Sequence, residues 1–410
     1  MKNLLLTICA LFFSIANAKT IAVGTQFPCK KIKQALLLAV DGDTILVYKG
    51  TYKEGNILIS KKVVFLGKDF PTLDGQQKHE VVSISADSVI VKGFRIINSG
   101  HASLDDPCGI KVYDCTFVKI ENNILNNNFF GIYLQNCRNC LVKNNKITAY
   151  GKQEQLIGNG IHCWKSDNLQ IIANKISGHR DGIYFEFVTQ SVIWRNVSNK
   201  NIRYGLHFMF SNDDAYITNV FKNNGAGVAV MFTKNVKMYN NYFEENWGDS
   251  AYGLLLKEIA DSYIFNNKFA RNTSGIYMEG TSRIKVEKNV FESNGWGMKI
   301  QASCMDNEIV NNNYMKNTFD ISTNGSLVLN TFNANYWDKY EGYDLDKNDL
   351  GDVPYHPLSL FAILTENTPS AMLLYRSFMI TLLDKSEKVL PSITPDNFID
   401  KTPLMKSLPL

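Results

Sequence analysis

A glycine returns along most of this chain, and its spacing constrains the fold more than any other feature. The recurring glycines are Gly109, Gly131, Gly160, Gly182, Gly205, Gly227, Gly253, Gly275 and Gly297. Successive members of this glycine column are 22, 29, 22, 23, 22, 26, 22 and 22 residues apart. An asparagine stands fourteen residues after each of them, at Asn123, Asn145, Asn174, Asn196, Asn219, Asn241, Asn267, Asn289 and Asn311. The longer intervals insert residues only between an asparagine and the next glycine. A period in the low twenties with insertions at one corner predicts a solenoid.

The residues that follow each glycine alternate with a period of two and not of 3.6, as in GIKVY, GIYLQ and GVAVM. This is the periodicity of β-strands, and proline is nearly absent from the repeats, as continuous strand ladders require. A turn of about 22 residues holds two or three short strands. The sequence therefore predicts an all-β fold, a right-handed parallel β-helix, and not a helical or leucine-rich repeat.

Alignment on the glycine assigns side chains to faces. Offsets +1 and +3 are apolar throughout and should point inward, whereas +2 and +4 should point outward. Offset +16 of the later turns carries phenylalanine, which should stack as a buried ladder formed by Phe221, Phe243, Phe269 and Phe291. The asparagines at +14 suit a tight corner, and each can hydrogen-bond the asparagine of the next coil.

The chain divides by composition into four segments. Residues 1–18 have the pattern of a secretory signal, with Lys2, an apolar core and a small-residue cleavage site. Residues 19–340 form the β-helix, in which an amphipathic segment from Ile21 to about Val40 should be a helix that caps the open end. Residues 341–357 are an acidic loop. Residues 358–410 form an apolar, partly helical tail, interrupted by proline and arginine, that cannot span a bilayer and should dock on the solenoid or a partner.

Two outward columns bring soft ligands together. His207 and Met209 share a strand and a face, with Met231 one coil beyond and Glu186 one coil before. An imidazole and two thioethers suit a soft ion, chiefly Cu(I). The alternative is that the methionines simply lie beneath the tail or a partner. We interpret these four residues as a candidate copper site.

The acidic loop carries oxygen donors at alternating positions, namely Asp344, Asp346 and Asn348, followed by Asp352. This spacing is typical of a Ca²⁺ loop, although Asp349 stands where such loops have glycine. The alternative is a solvated acidic loop.

The remaining chemistry is sparse. The net charge of +4 argues against a nucleic-acid partner. Cys115 and Cys137 lie one coil apart, close enough for a disulfide, which the sequence leaves open. Glu186 and Glu279 would be about 19 Å apart, and no second acid is expected near His207, so the residues do not predict an enzyme. The competing interpretations are a carbohydrate-active β-helix enzyme, such as a polysaccharide lyase or epimerase, and a docking scaffold that binds no metal.

Several segments resemble the NosD family, among them RYGLHFMFSND, NGAGVAVMF, SGIYMEG and NYWDKYEGYDLDKNDLGDVPYHPLSLF, followed by PLM near the end. The resemblance spans essentially the whole chain after the signal. It implies a periplasmic β-helix protein that helps mature nitrous oxide reductase, working with an ABC-type permease and ATPase and with a copper chaperone lipoprotein to supply copper to the apo-reductase. It further implies that the tail contacts the permease, which would hold the protein at the membrane, and that the chaperone and reductase use the distal solenoid.

Overall fold

Three parallel sheets wind around one continuous apolar core in a right-handed β-helix of about 13 coils, which confirms the predicted fold. The computed structural model describes residues 18–101, 106–248, 251–325, 329–389 and 398–409. All but the last residue of the predicted signal, 1–18, lies outside the described residues.

Each coil contributes one short strand to each sheet, and neighbouring strands belong to successive coils. The first sheet contains 14 strands: Thr20–Val23, Thr44–Val47, Val64–Gly67, Ile90–Lys92, Lys119–Glu121, Leu141–Lys143, Gln170–Ile172, Val192–Trp194, Ala215–Ile217, Lys237–Tyr239, Tyr263–Phe265, Lys285–Glu287, Met305–Val310 and Leu329–Asn333. The second contains 13: Thr51–Tyr52, Thr72–Asp74, Arg95–Ile97, Ile124–Asn126, Lys146–Thr148, Lys175–Ser177, Val197–Asn199, Val220–Lys222, Tyr242–Glu244, Lys268–Ala270, Val290–Glu292, Asn313–Met315 and Tyr336–Trp337. The third, which carries the candidate copper residues, contains 12: Ile57–Ile59, Val82–Ile84, Cys108–Tyr113, Phe130–Gln135, Ile161–Trp164, Ile183–Glu186, Tyr204–Met209, Ala226–Met231, Tyr252–Lys257, Ser274–Glu279, Trp296–Ile300 and Phe319–Ser322.

The recurring glycines lie at the start of the strands of the third sheet, where successive coils approach most closely. A Cβ atom on Gly205 would lie 2.7 Å from the carbonyl oxygen of Gly227, and one on Gly227 would lie 2.3 Å from that of Gly253. These distances are too short for any side chain. The glycine column is therefore required by close packing between coils and not by a left-handed backbone.

The asparagine ladder forms as predicted through Asn289, and each side-chain amide donates to the side-chain oxygen of the next asparagine at 3.0–3.1 Å. The predicted last member is wrong, because Asn289 bonds Asn312 and not Asn311. Ile276 pairs with Met298 but Lys285 pairs with Glu308, so one extra residue has entered the corner between those strands and shifted the offset.

The predicted phenylalanine ladder is confirmed, with ring centroids 5.6, 4.6 and 5.0 Å apart from Phe221 to Phe291. Tyr314 and Trp337 continue it at 4.7 and 4.2 Å. Planar rings stacked at the coil spacing fill the corner of the barrel without voids.

Both ends of the solenoid are covered. The N-terminal helix α1 spans Ile32–Leu38, shorter than the sequence predicts because the preceding Thr20–Val23 forms the first strand. Its apolar face buries Ile32 and Ala35 against the core. At the other end, Asp400 and Leu404 pair with the last coil in parallel bridges.

Two helices lie between the last coil and these closing residues. Helix α2 spans Leu360–Asn367 and packs its buried Phe361 against the third sheet, whereas α3 spans Phe378–Val389. Glu366 of α2 fixes this arrangement through an ion pair with Lys299 at 2.8 Å. The segment that the sequence treats as one tail thus contains two docked helices and a separate closing strand.

Candidate functional site

The candidate site lies on the outer face of the third sheet, between its two flanking corners. The offset +2 column was expected to be solvent-exposed, but most of it is covered: His162 is 8% exposed, His207 7% and Ala229 0%. The covering atoms come from corner residues and inserted loops. This column is therefore a second buried layer outside the barrel.

His207 is enclosed by a polar and aromatic cluster that the sequence did not predict. Its ring centroid lies 4.8 Å from those of both Tyr184 and Tyr204, and its Nδ1 atom lies 3.5 Å from a carboxylate oxygen of Asp181. Asp181 is fully buried and accepts two hydrogen bonds from Arg203, at 3.0 and 2.7 Å. The expectation that no second acid lies near His207 is therefore wrong.

The charge of Asp181 is compensated within this cluster. Burial opposes its ionisation, but the nearby His207 imidazole and the hydrogen bonds from Arg203 outweigh burial and lower the pKa of the carboxyl group. A carboxylate held by a bidentate guanidinium is a positioning group for the imidazole and a poor proton donor.

Buried imidazole nitrogens without partners among the described residues occur on this face at His162 and His207, and at a corner at His179. The Nε2 atoms of His162, His179 and His207 are buried and have no hydrogen-bond partner among the described residues. Burial lowers the pKa of His162 to about 3 and that of His179 to about 4, so both rings are neutral at pH 7. Buried polar atoms are normally satisfied, and a neutral imidazole nitrogen with no partner is able to accept a proton donor or a metal.

The predicted sulfur ligands come together as the register requires. Met209 pairs with Met231 in the next coil and with Glu186 in the preceding one. Met209 and Met231 are both half-buried, and Met209 lies two residues from His207 on the same face. We call Met209 and Met231 the methionine patch. It provides two thioethers at the surface beside a buried imidazole.

Conventional metal clusters are missing from the described part of the chain, where no three His, Cys, Asp or Glu side chains form a group able to hold a metal ion. Thioethers lie outside that set of ligands. The methionine patch and His207 offer thioether and imidazole donors, which are ligand types that a soft ion accepts.

Three exposed phenylalanines border the methionine patch at the corner that follows the third sheet. Phe187, Phe210 and Phe232 are 45%, 40% and 41% exposed, and their rings stack at 5.2 Å between neighbours. We call these three residues the aromatic edge. Each directly follows Glu186, Met209 or Met231 in the chain.

The backbone of the aromatic edge is strained. All three phenylalanines have left-handed conformations, with φ of 54°, 51° and 54°, at a position where an earlier coil has Asn136 at 52°. Asparagine tolerates this region, whereas a bulky residue is disfavoured. Exposed aromatic side chains held at a strained corner are not explained by stability, which makes them a candidate for binding.

The acidic loop is organised by hydrogen bonds to its own carboxylates. Asp344 accepts hydrogen bonds from the backbone amides of Asn348 and Asp349 at 3.2 and 2.9 Å, and Asp352 accepts one from Leu345 at 2.7 Å. Asp346 accepts hydrogen bonds from Asn348 at 2.9 and 3.3 Å. Asp349 adopts φ of 66° at the position expected for glycine. The Ca²⁺ site stays a prediction from the sequence.

The cysteines in the described part of the chain are buried free thiols, including Cys115 and Cys137. Their sulfurs donate to backbone carbonyl oxygens, those of Tyr113 at 2.9 Å and Gln135 at 3.3 Å. The disulfide that the sequence left open is not formed in this structure.

Comparison with solved structures supports the architecture. The catalytic unit of a thermostable GH87 alpha-1,3-glucanase from Streptomyces thermodiastaticus is 12% identical, with a TM-score of 0.57, 76% of this chain covered and 65% of that one. PfbA, a surface adhesin of Streptococcus pneumoniae, is 13% identical, with a TM-score of 0.50, 72% of this chain covered and 87% of that one. Similarity at this level of identity shows the fold alone. The molecule is thus a right-handed parallel β-helix protein.

Sequence comparison gives two family matches and one curated relative. A family described as periplasmic copper-binding protein (NosD) matches residues 148–342, and a right-handed β-helix region matches residues 74–153. A probable ABC transporter binding protein NosD of Pseudomonas aeruginosa is 30% identical over 113 residues, which cover 27% of this chain and only 26% of that protein. The family match spans slightly less than half of the chain, and together these matches support an assignment to the NosD family.

Proposed function

We propose that this protein is a periplasmic accessory protein that accepts Cu(I) transiently and presents it to apo-nitrous oxide reductase, and that it is not an enzyme. The description of its family as periplasmic and copper-binding supports the coarse part of this proposal. The observation that carries the finer part is the pairing of Met209 with Met231 on the strand that also carries His207, whose Nε2 atom has no hydrogen-bond partner among the described residues.

In this proposal copper is a cargo that the protein binds reversibly, and the thioether and imidazole ligands suit such binding. Met209 and Met231 would receive Cu(I) at the surface, because thioethers bind this ion and reject hard cations. His207 would complete the site from beneath, with its ring kept in place by Tyr184 and Tyr204. Glu186 is a hard donor, so we assign it to the rim of the site, where it adds negative charge.

Two further surfaces would bind the proposed partners. The aromatic edge adjoins the methionine patch, so a copper chaperone or the apo-reductase docked there would reach the cargo. The tail exposes Phe378 by 84% and Met379 by 68%. No helix in the described ranges is long and apolar enough to cross a membrane. We therefore propose that these tail side chains bind the permease of an ABC-type complex, whose ATPase subunit would act through it.

Cu(I) binding is tested by an anaerobic competition titration of the mature chain, in a cysteine-free background, against a chromophoric chelator. We expect one Cu(I) per chain. His207→Ala, Met209→Leu and Met231→Leu should each weaken binding by tenfold or more, about 1.4 kcal/mol, because each removes one soft ligand.

The matched controls are His79→Ala and Met305→Leu, which remove an exposed histidine and an exposed methionine elsewhere on the solenoid. They should leave the affinity unchanged. If the parent fails to bind Cu(I), or if the controls weaken binding as much as the site variants, the protein is a docking scaffold whose partners hold the metal.

The two docking surfaces are tested by separating their partners. Phe210→Asn should lower association with the chaperone and the apo-reductase but not with the permease. The double variant Phe378→Ser with Met379→Ser should do the reverse. Affinity co-purification of each partner measures both effects.

Phe210→Asn should also leave the unfolding midpoint unchanged or slightly raised, because asparagine accepts the left-handed conformation that phenylalanine resists. A variant that lost both sets of partners, or neither, would contradict the assignment of the two surfaces.

A further inference from the structure

A row of cations lies on the outer faces of the first and second sheets, away from the third sheet and its candidate copper site. The row consists of Lys92, Lys119 and Lys143 on the first sheet, Arg95, Lys146 and Lys175 on the second, and Arg195 at the corner between them. All seven are exposed except Lys143, which is half-buried. We call these seven residues the basic stripe. It crosses five successive coils, from Ile90–Lys92 to Val192–Trp194, a length of about 19 Å.

Two cations of the basic stripe stand directly opposite each other. Lys146 pairs with Lys175 in the next coil, so their side chains leave the same face of the second sheet about 4.8 Å apart. Like charges directly opposite in neighbouring strands destabilise a sheet. The pair is therefore not explained by stability, and it points to a function in binding negative charge.

The basic stripe is not neutralised by carboxylates of the described residues. The ion pairs found there leave out all seven of its cations. The ten strands that cross these five coils in the two sheets contain a single acid, Glu121, which lies in register between Lys92 and Lys143. The cations thus outnumber the acids of this surface several-fold.

Later coils of the same two sheets show the opposite arrangement. Lys268 pairs with Glu292 at 2.8 Å, and Lys285 pairs with Glu287 at 3.0 Å. The chain as a whole carries a net charge of only +4, so its positive excess is concentrated on the basic stripe. A local excess of one sign attracts ligands of the other sign, whereas a surface of paired charges does not.

A column of neutral polar groups runs beside the cations of the second sheet. It is formed in register by Asn126, Thr148, Ser177 and Asn199. Thr148 and Ser177 lie two residues after Lys146 and Lys175 and therefore on the same face. Amides and hydroxyls both donate and accept hydrogen bonds, so they complement the hydroxyl groups of a sugar.

Apolar anchors are sparse beside the basic stripe. In these ten strands the exposed large apolar side chain is Trp194, which is 36% exposed, and the Arg195 guanidinium lies 4.5 Å from its ring centroid. Binding to a bilayer surface combines cations with apolar side chains that insert, and protein interfaces rely on buried aromatic anchors. A straight row of cations and hydrogen-bonding groups favours an extended, hydrophilic polyanion over either of these.

We propose that the basic stripe binds an acidic polysaccharide, an extended chain of sugars that carry carboxylate groups, laid along the solenoid axis. The carboxylates pair with the lysine and arginine side chains, and the sugar hydroxyls hydrogen-bond the neighbouring column of amides and hydroxyls. The third sheet takes no part, so a bound glycan leaves the methionine patch open.

The test is isothermal titration of the full mature chain with an oligogalacturonate and with its methyl ester, which keeps the sugar chain but removes the carboxylate charge. We expect the acid to bind at least tenfold more tightly than the ester, about 1.4 kcal/mol, and to bind more weakly as salt is added. A glutamate peptide of matched charge and phosphatidylglycerol vesicles form the competing arms. Tighter binding of either one than of the oligogalacturonate, or equal affinity for acid and ester, would overturn the proposal.

Two double variants locate the binding. Lys146→Gln with Lys175→Gln should weaken oligogalacturonate binding at least tenfold and leave the unfolding midpoint unchanged or slightly raised, because it removes a like-charge pair. The matched control is Lys268→Gln with Lys285→Gln, which removes two paired lysines from later coils of the same sheets and should leave the affinity unchanged. Equal losses in both double variants, or no loss in the first, would rule out the basic stripe as the binding site.

Discussion

Replacing Gly205 with valine is expected to destabilise the β-helix by about 1–3 kcal/mol, at the upper end of that range. The new Cβ atom would lie 2.7 Å from the carbonyl oxygen of Gly227 and 2.9 Å from the ring of Phe221. The first of these atoms belongs to the backbone, so relief requires two coils to separate. Separation in turn weakens the strand pairing between Tyr204–Met209 and Ala226–Met231. The urea midpoint, followed by far-ultraviolet circular dichroism, measures the effect.

The matched control for this prediction is Lys237→Val, which places the same β-branched side chain on an exposed position of a neighbouring coil. Valine suits a strand, so the midpoint should be unchanged or slightly higher. Equal stability of Gly205→Val and the parent would mean that the coils are not packed as closely as the glycine column indicates.

The periodic features of the fold were predictable because a solenoid repeats one environment. A glycine, an asparagine or a phenylalanine that recurs at one offset must meet the same neighbours in every coil. The inward strand positions and the Phe221–Phe291 stack therefore follow from alignment alone. The error at Asn311 arose where one inserted residue broke the period, and the sequence by itself does not fix which side of the corner absorbs an insertion.

The candidate site was predictable only in part, because only some of its residues occupy positions that repeat from coil to coil. Met209 and Met231 occupy one offset, so their pairing follows from the repeat. Asp181 and Arg203 occupy corner positions that carry other residue types in other coils, and their contact with His207 depends on the path of the chain around that corner. Burial of the outer column likewise depends on inserted loops, whose conformation has no periodic signal.

The position of the two functional regions follows from the stiffness of the solenoid. The strand that carries Met209 lies five strands from Phe319–Ser322, on which α2 packs, so the methionine patch and the tail are about 24 Å apart on one sheet. A partner bound at the tail would therefore lie at a fixed distance from the methionine patch along the solenoid.

Replacing Asp400 with alanine is expected to open the distal end of the solenoid. Asp400 is fully buried and ends the asparagine ladder: one carboxylate oxygen accepts from the backbone amide of Asn335, its side-chain amide and the indole of Trp337, at 2.9, 3.0 and 3.1 Å. Its other oxygen accepts from the backbone amide of Ala334 at 3.1 Å. Each buried donor left without a partner costs about 1–3 kcal/mol, so we expect a local loss of about 3–5 kcal/mol from the two or three donors that water cannot reach.

The asparagine ladder explains why position 400 carries a carboxylate, and it suggests comparing Asp400→Ala with Asp400→Asn. Every earlier member donates to the next coil, but the last member has no further coil and needs only acceptors. Asp400→Asn should therefore recover most of the stability through its single oxygen, whereas the exposed Lys401→Ala should have no effect. Amide hydrogen exchange at residues 334–337 measures all three variants. Unchanged amide protection in Asp400→Ala would contradict the assignment of Asp400 as the end cap. A loss of protection spread evenly over all coils would show that the solenoid unfolds as one unit and not from its end.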